Sequence, residues 1–306
     1  MIITKTNKVF LVLFLFVIFV AGIFIWQEFF DRRVVVPHLP PSSASETSTP
    51  SLSLVAKNLN TPWSLEFLPC GGLLFTERAG KVYLNLEKIG FSSKLIITIP
   101  DVAEEGEGGL LGMAKHPEFE KNNYIYLYYT YKSDDQSLAN KVVRYRMQDE
   151  SLIEQKLIID GIPGAENHNG GRIKFGPDKL LYIATGDAGN ANLAQDKNSL
   201  AGKILRLTDE GEIPRDNPFL NAIYSYGHRN PQGIAWDEQG RLWETEHGAS
   251  ATDELNLIES GKNYGWPIIR GNENRYGMIA PIIQSGKKLG LHPESLISRI
   301  QSFLLD

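Results

Sequence analysis

One unit recurs along this chain: an apolar strand, a turn rich in Pro, Gly, Asp or Asn, and a second apolar strand that ends in an acid. It occurs at Trp63–Glu77 (WSLEFLPCGGLLFTE), at Arg172–Asp187 (RIKFGPDKLLYIATGD) and at Gly233–Glu246 (GIAWDEQGRLWETE). A variant runs LGMAKHPEF from Leu111, followed by YIYLYYT over Tyr124–Thr130. Apolar residues alternate on both sides of each turn, which is the pattern of a β-hairpin. Further strands follow each hairpin, at Lys81–Leu84, Lys141–Arg146 and Lys203–Leu207. The repeat spans roughly 50 to 60 residues, the length of a four-stranded propeller blade with its loops. A lone sheet of this kind cannot bury both faces, so the units must stack around an axis. The sequence therefore predicts an all-β propeller with about four blades and the start of a fifth. Two separate sandwiches would not echo a single motif.

Composition narrows the function classes. A net charge of −5 with 22% charged residues argues against a nucleic-acid partner, which needs a basic face. Cys70 is the sole cysteine, so an internal disulfide or a cysteine metal cluster is excluded. Calcium, which takes oxygen ligands, is not.

The N-terminal region reads as three parts: a flank at 1–8, an uncharged run of 18 residues at Val9–Trp26, and a Pro/Ser/Thr-rich linker over 27–53. The run is just long enough to cross a bilayer, with Lys5 and Lys8 before it and an interfacial Trp26. The expectation is a single-pass transmembrane helix in the cell membrane, with the propeller on the extracytoplasmic side. A cleaved signal segment is the rival reading, which makes the protein secreted; Ala21-Gly22 is only a weak cleavage site. The linker composition supports no core and reads as a spacer.

Four stretches carry polar residues that the hairpins do not need. In GEGGLLG, from Gly106, the glycines do not follow dinucleotide spacing, so a nicotinamide site is excluded. The loop would bring Glu107 toward a ligand; the alternative is a tight inter-blade turn. In ENHNGGR, His168 follows Asn167 at the entrance to a strand, and its imidazole suits a general base. Asp187 ends the paired strand of the same hairpin and would orient that ring. In YGHRNPQG, Arg229 offers a planar donor fork for a carboxylate or for a quinone oxygen that becomes anionic on reduction, and Asn230 adds a hydrogen bond. A surface salt bridge is the alternative for Arg229. The last stretch, EHGASATDELN followed by GKNYGWP, sets Asp253 and Glu254 beside a glycine turn; these are hard oxygen ligands without EF-hand spacing.

With these motifs assembled, the chain resembles the PQQ-dependent soluble glucose and aldose sugar dehydrogenases. The likeness covers about Leu54 to Gly286 and rests on SYGHRNPQG, DELNLIESGKNYGWP and NHNGGRIKFGPD…ATGD. It implies a six-bladed β-propeller, incomplete here, that binds PQQ and Ca²⁺ and oxidises an aldose at its anomeric carbon to the lactone. Electrons then leave to an external acceptor. By the same resemblance, His168 takes the hydroxyl proton, Asp187 supports it, and Arg229 and Asn230 contact PQQ. The carbonyls of Gly248 and Ala249 hold one Ca²⁺, while Asp253, Glu254 and the Tyr264 carbonyl match a second. Glu107 and Asn167 fall near the sugar, and Asn167 stands where some members have Asp. A non-catalytic propeller that binds a glycan or protein partner is the alternative class.

The pattern runs over 54–286, and the stretch KKLGLHPESL from Lys287 matches nothing in the family. One coding of it, read in a shifted frame, gives Thr-Trp-Ala-Pro-Ser-Gly-Ile-Ser. The family has an Ala-Pro-Ser-Gly strand at about this place. The expectation is an out-of-frame tail over 287–306, and little turnover by the chain alone.

Overall fold

The computed structural model describes residues 54–69, 71–86 and 93–285. The 9–26 anchor, the linker and the 287–306 tail lie outside the described residues. Among the described residues, no helix is long and apolar enough to cross a membrane.

The described strands form four antiparallel sheets of four strands, each in chain order. The first holds β1 (Pro62–Phe67), β2 (Leu73–Glu77), β3 (Lys81–Asn85) and β4 (Lys94–Thr98). The second holds β5 (Leu110–Lys115), β6 (Tyr124–Lys132), β7 (Leu138–Gln148) and β8 (Ser151–Pro163), with a short helix α1 (Phe119–Asn122) in its first turn. The third holds β9 (Ile173–Phe175), β10 (Leu181–Thr185), β11 (Lys203–Leu207) and β12 (Ile223–Tyr226). The fourth holds β13 (Pro231–Trp236), β14 (Leu242–Glu246), β15 (Glu254–Ile258) and β16 (Ile283–Gln284). No strand of a fifth sheet lies among the described residues. The last of them to pair, β16, joins β15 through Glu254↔Gln284 and Leu255↔Ile283, completing the fourth sheet after a long excursion over 259–282.

Stacking follows from the period of two along a strand. Ile125, Leu127 and Tyr129 of β6 face a core shared with Leu74, Val82 and Leu84 of the first sheet. The intervening Tyr126 and Tyr128 face the other way, into a core with Leu181, Ile183 and Leu205 of the third. In the third sheet, Tyr182 and Ile204 turn from that core toward Leu242 and Ile258 of the fourth. A strand buried on both faces loses the apolar–polar alternation of a half-exposed one. The fully buried β10 and β11 are such strands.

The first strands contact one another in chain order, β1 to β5 to β9 to β13. They line a shared cavity of about 210 Å³ bounded by Trp63, Met113, Ile173 and Ile234. This fixes which loops meet. Where strand one of an antiparallel sheet starts, strand two finishes and strand three starts. Loops 99–109, 164–172 and 227–230, which enter first strands, therefore share one end with 186–202 and 247–253, which follow second strands.

Sheet spacing depends on Gly112 of β5, because a Cβ there would lie 2.0 Å from the Gly171 carbonyl oxygen. Gly112→Ala is expected to lower stability by about 1–3 kcal/mol through overpacking. Chemical denaturation of the two chains measures it, and equal midpoints would refute this reading of the contact.

Candidate active site at one end of the sheets

A cleft of about 230 Å³ opens at this end, lined from all four sheets by Trp63, Arg78, Glu107, Asn169, Asn230 and His247. The loop over 164–172 carries His168 at φ 56, a left-handed backbone that few non-glycine residues adopt. Two contacts hold it there. The His168 N–H donates to Glu107 Oε2 at 2.8 Å, and the His168 carbonyl accepts from the Ala188 N–H at 3.2 Å. Gly186 permits the approach, since a Cβ there would lie 1.9 Å from the His168 oxygen.

The His168 imidazole Nδ1 lies 2.7 Å from Asp187 Oδ1. Asp187 is only 1% exposed and is held on both oxygens. The Gly189 N–H reaches Oδ1 at 2.8 Å, and the Trp266 indole N–H reaches Oδ2 at 2.8 Å. A carboxylate only accepts, so Nδ1 carries the proton and Nε2 presents its lone pair. Lys203, fully buried, pins the following turn by donating to the carbonyls of Leu193, Ala194 and Ala201.

Arg229 joins this pair directly. Its carbonyl accepts the Asp187 N–H at 2.8 Å, and its own N–H donates to Glu246 Oε2 at 2.5 Å. The guanidinium sends Nη1 to the His247 carbonyl at 3.1 Å and lies 5.4 Å from the Trp266 ring centre, while Nε is buried without an acceptor. The Asn230 side chain is engaged through its oxygen. Its side-chain oxygen accepts from the Gly170 N–H at 3.0 Å and from Gln232 Nε2 at 3.1 Å, so it joins two loops together.

Arg229, Gly248, Ala249, Glu254, Tyr264 and Trp266 line one small cavity. Asp253 braces it: Oδ1 accepts the Gly248 N–H at 3.1 Å. The Ala249 carbonyl already accepts the Thr252 hydroxyl at 2.6 Å. Glu254 accepts the Gly271 N–H at 3.0 Å, and burial, reinforced by the Glu246 charge, pushes its carboxyl up to about 8. Asn167 is exposed beside Gly189. Glu107 is also exposed, and its Oε2 accepts the His168 N–H.

Trp266 and Glu246 hold positions in the site that the sequence alone does not assign. Trp266 could have been suspected as a lone N–H donor in a Gly/Pro-flanked loop. Glu246 ends a second strand, as Asp187 nearly does, and that shared position was its signal.

Residues 59–292 match the family model for Glucose / Sorbosone dehydrogenase. The chain is 34% identical over 273 residues to quinoprotein glucose dehydrogenase B of Acinetobacter calcoaceticus, covering 78% of this chain and 57% of that protein. It is 37% identical over 269 residues to the aldose sugar dehydrogenase YliI of Escherichia coli, covering 83% and 71%. Among solved structures, the PQQ-bound aldose sugar dehydrogenase of Streptomyces coelicolor aligns with a TM-score of 0.72 at 43% identity, over 76% of this chain and 70% of that one. The chain thus spans less than two thirds of the first of these relatives.

Glu107→Ala removes the acceptor that holds the His168 amide. Exchange of that amide is expected to quicken by roughly tenfold, the scale of one hydrogen bond to a charged acceptor. Glu107→Gln, which keeps an acceptor, should exchange far more slowly than the alanine variant. Hydrogen–deuterium exchange of the 164–172 segment reads both.

Proposed function

This chain belongs to the glucose/sorbosone dehydrogenase family, and on that premise we propose that it is a PQQ-dependent oxidoreductase. Its substrate is an aldose, oxidised at the anomeric carbon to the lactone, and an external acceptor takes the electrons. The observation that carries this reading is the His168–Asp187 contact of 2.7 Å, which leaves Nε2 free to act as a base.

His168 Nε2 takes the proton of the anomeric hydroxyl as hydride leaves the same carbon, so the C–O bond gains double-bond character and no charge is stranded. Asp187 holds the ring in the required tautomer and steadies the imidazolium that results. When bound, PQQ supplies the quinone that accepts the hydride. The chain fits such a group at Arg229, whose buried Nε lacks an acceptor and whose fork suits an anionic oxygen. The carbonyls of Gly248 and Ala249 would hold a Ca²⁺ acting as a Lewis acid, and Asp253, Glu254 and the Tyr264 carbonyl a second, structural ion. Asn230, whose oxygen ties two loops together, would contact PQQ, and Glu107 and Asn167 would lie near the sugar. The uncharged Val9–Trp26 run supports anchoring to the membrane, with this site on the extracytoplasmic side.

A PQQ titration followed by quinone absorbance, with and without Ca²⁺, tests the reading. Arg229→Ala is expected to weaken PQQ binding by about 30-fold, the loss of one charged hydrogen bond. His168→Asn should retain PQQ within a few-fold yet slow aldose-dependent dye reduction by about 10²–10⁴-fold. Unchanged PQQ affinity in Arg229→Ala, or unchanged turnover in His168→Asn, would refute it.

A further inference from the structure

Behind the open end, where the third and fourth sheets pack, β14 and β15 bring acids together in the interior. Glu244 pairs across the ladder with Asn256, and Glu246 with Glu254, so all four share one face. His228 joins them from the loop before β13. Glu244 and His228 are fully buried, Asn256 is 1% exposed and Glu246 2%. One oxygen from each of Glu244 and Glu246 and one ring nitrogen of His228 lie within 4.8 Å of one another.

The neighbouring contacts prepare these atoms as ligands. Glu246 Oε2 is taken by the N–H groups of Arg229 at 2.5 Å and Asn230 at 3.3 Å, which leaves Oε1 facing His228 Nδ1 at 3.4 Å. His228 Nε2 is engaged by the Ser225 hydroxyl at 2.8 Å, and the ring stacks on Tyr264. A ligating histidine is ordinarily fixed in this manner through its other nitrogen.

What the cluster lacks is positive charge. Asn256 Nδ2 lies 3.0 Å from Glu244, 3.3 Å from Glu246 and 3.4 Å from Glu254, so two N–H bonds face three carboxylates. Glu244 Oε1 and Asn256 Oδ1 are buried with no partner at all. Arg229 and Arg270 line the adjacent cavity, yet among the described residues no ion pair joins either to these acids. Buried carboxylates left in this condition are costly unless a cation or a proton neutralises them.

We propose that Glu244, Glu246 and His228 bind a divalent cation of the Mn²⁺ or Zn²⁺ class, with the spare Asn256 oxygen as a further ligand. Two carboxylates with one imidazole favour such an ion over Ca²⁺, which takes oxygen alone. Its ligands differ from those of both calcium positions considered above, although Asn256 Nδ2 reaches Glu254 as well, and the site does not rest on the sugar-dehydrogenase reading. Its ion would enter as the sheets close, because the ligands are buried once they have packed. Glu246 both ligates and accepts the Arg229 and Asn230 N–H bonds, so the ion would also stiffen that loop.

The test is to strip the full chain with chelator under denaturing conditions and refold it in excess Ca²⁺ with Mn²⁺ added. Binding is read by electron paramagnetic resonance and melting temperature. One Mn²⁺ per chain should bind, Zn²⁺ should displace it, and the melting temperature should rise with either metal. Glu244→Gln should lose this affinity by at least about 100-fold while melting higher than the metal-free parent, since an unpaired buried charge has gone. Glu254→Gln should still bind Mn²⁺. Mn²⁺ binding that survives in Glu244→Gln would put the ion elsewhere. A parent chain indifferent to both metals, with Glu244→Gln simply more stable, would assign the cluster to a shared proton. Either result overturns the proposal.

Discussion

The arrangement depends on a buried carboxylate at or just past the end of a second strand, which grips the loop leading into the first strand of its own sheet. Glu77 accepts the Asn60 N–H at 2.7 Å, and Glu246 accepts those of Arg229 and Asn230. At the corresponding place Asp187 accepts a side chain instead, the His168 imidazole. In the second sheet Thr130 stands there, its N–H donating to the Gly109 carbonyl and its hydroxyl to Asn140. A single scaffold position thus serves packing in three sheets and presents a base in the third. Because these groups lie 0 to 4% exposed, their hydrogen bonds are little weakened by water and fix the loops before any ligand arrives.

Much of this was legible in the residues. The hairpins were readable because turn residues bound short apolar runs, a signal that survives even where burial on both faces removes the alternation, as at Tyr124–Thr130. His168 and Arg229 each precede the first strand of a sheet, which places both at one end, whereas a role for Gly248 came only from the family resemblance. Direct contacts now join them: Asp187 binds both His168 and the Arg229 carbonyl, and Arg229 binds the His247 carbonyl beside Gly248.

Other features left no local trace. The two-residue β16 is too short to carry a period, so the closing strand of the fourth sheet left no mark in the sequence. The Asn230 oxygen accepts from Gly170 some sixty residues earlier, a tie between loops that nothing local in the sequence marks. The Trp266 indole reaches Asp187 from 79 positions away, a pairing that only the packed sheets create. Glu244 reads as one more strand residue in GRLWETE, and only the cross-strand pairing to Asn256 reveals how many acids meet.

The central claim is that one flat cofactor can touch the His168 imidazole and the Arg229 guanidinium together at this end of the sheets. A crystal structure of the full chain grown with PQQ tests it most directly. The account predicts planar density between those two side chains, bordered by Gly248. Planar density at the opposite end of the sheets, or touching only one of the two side chains, would contradict it.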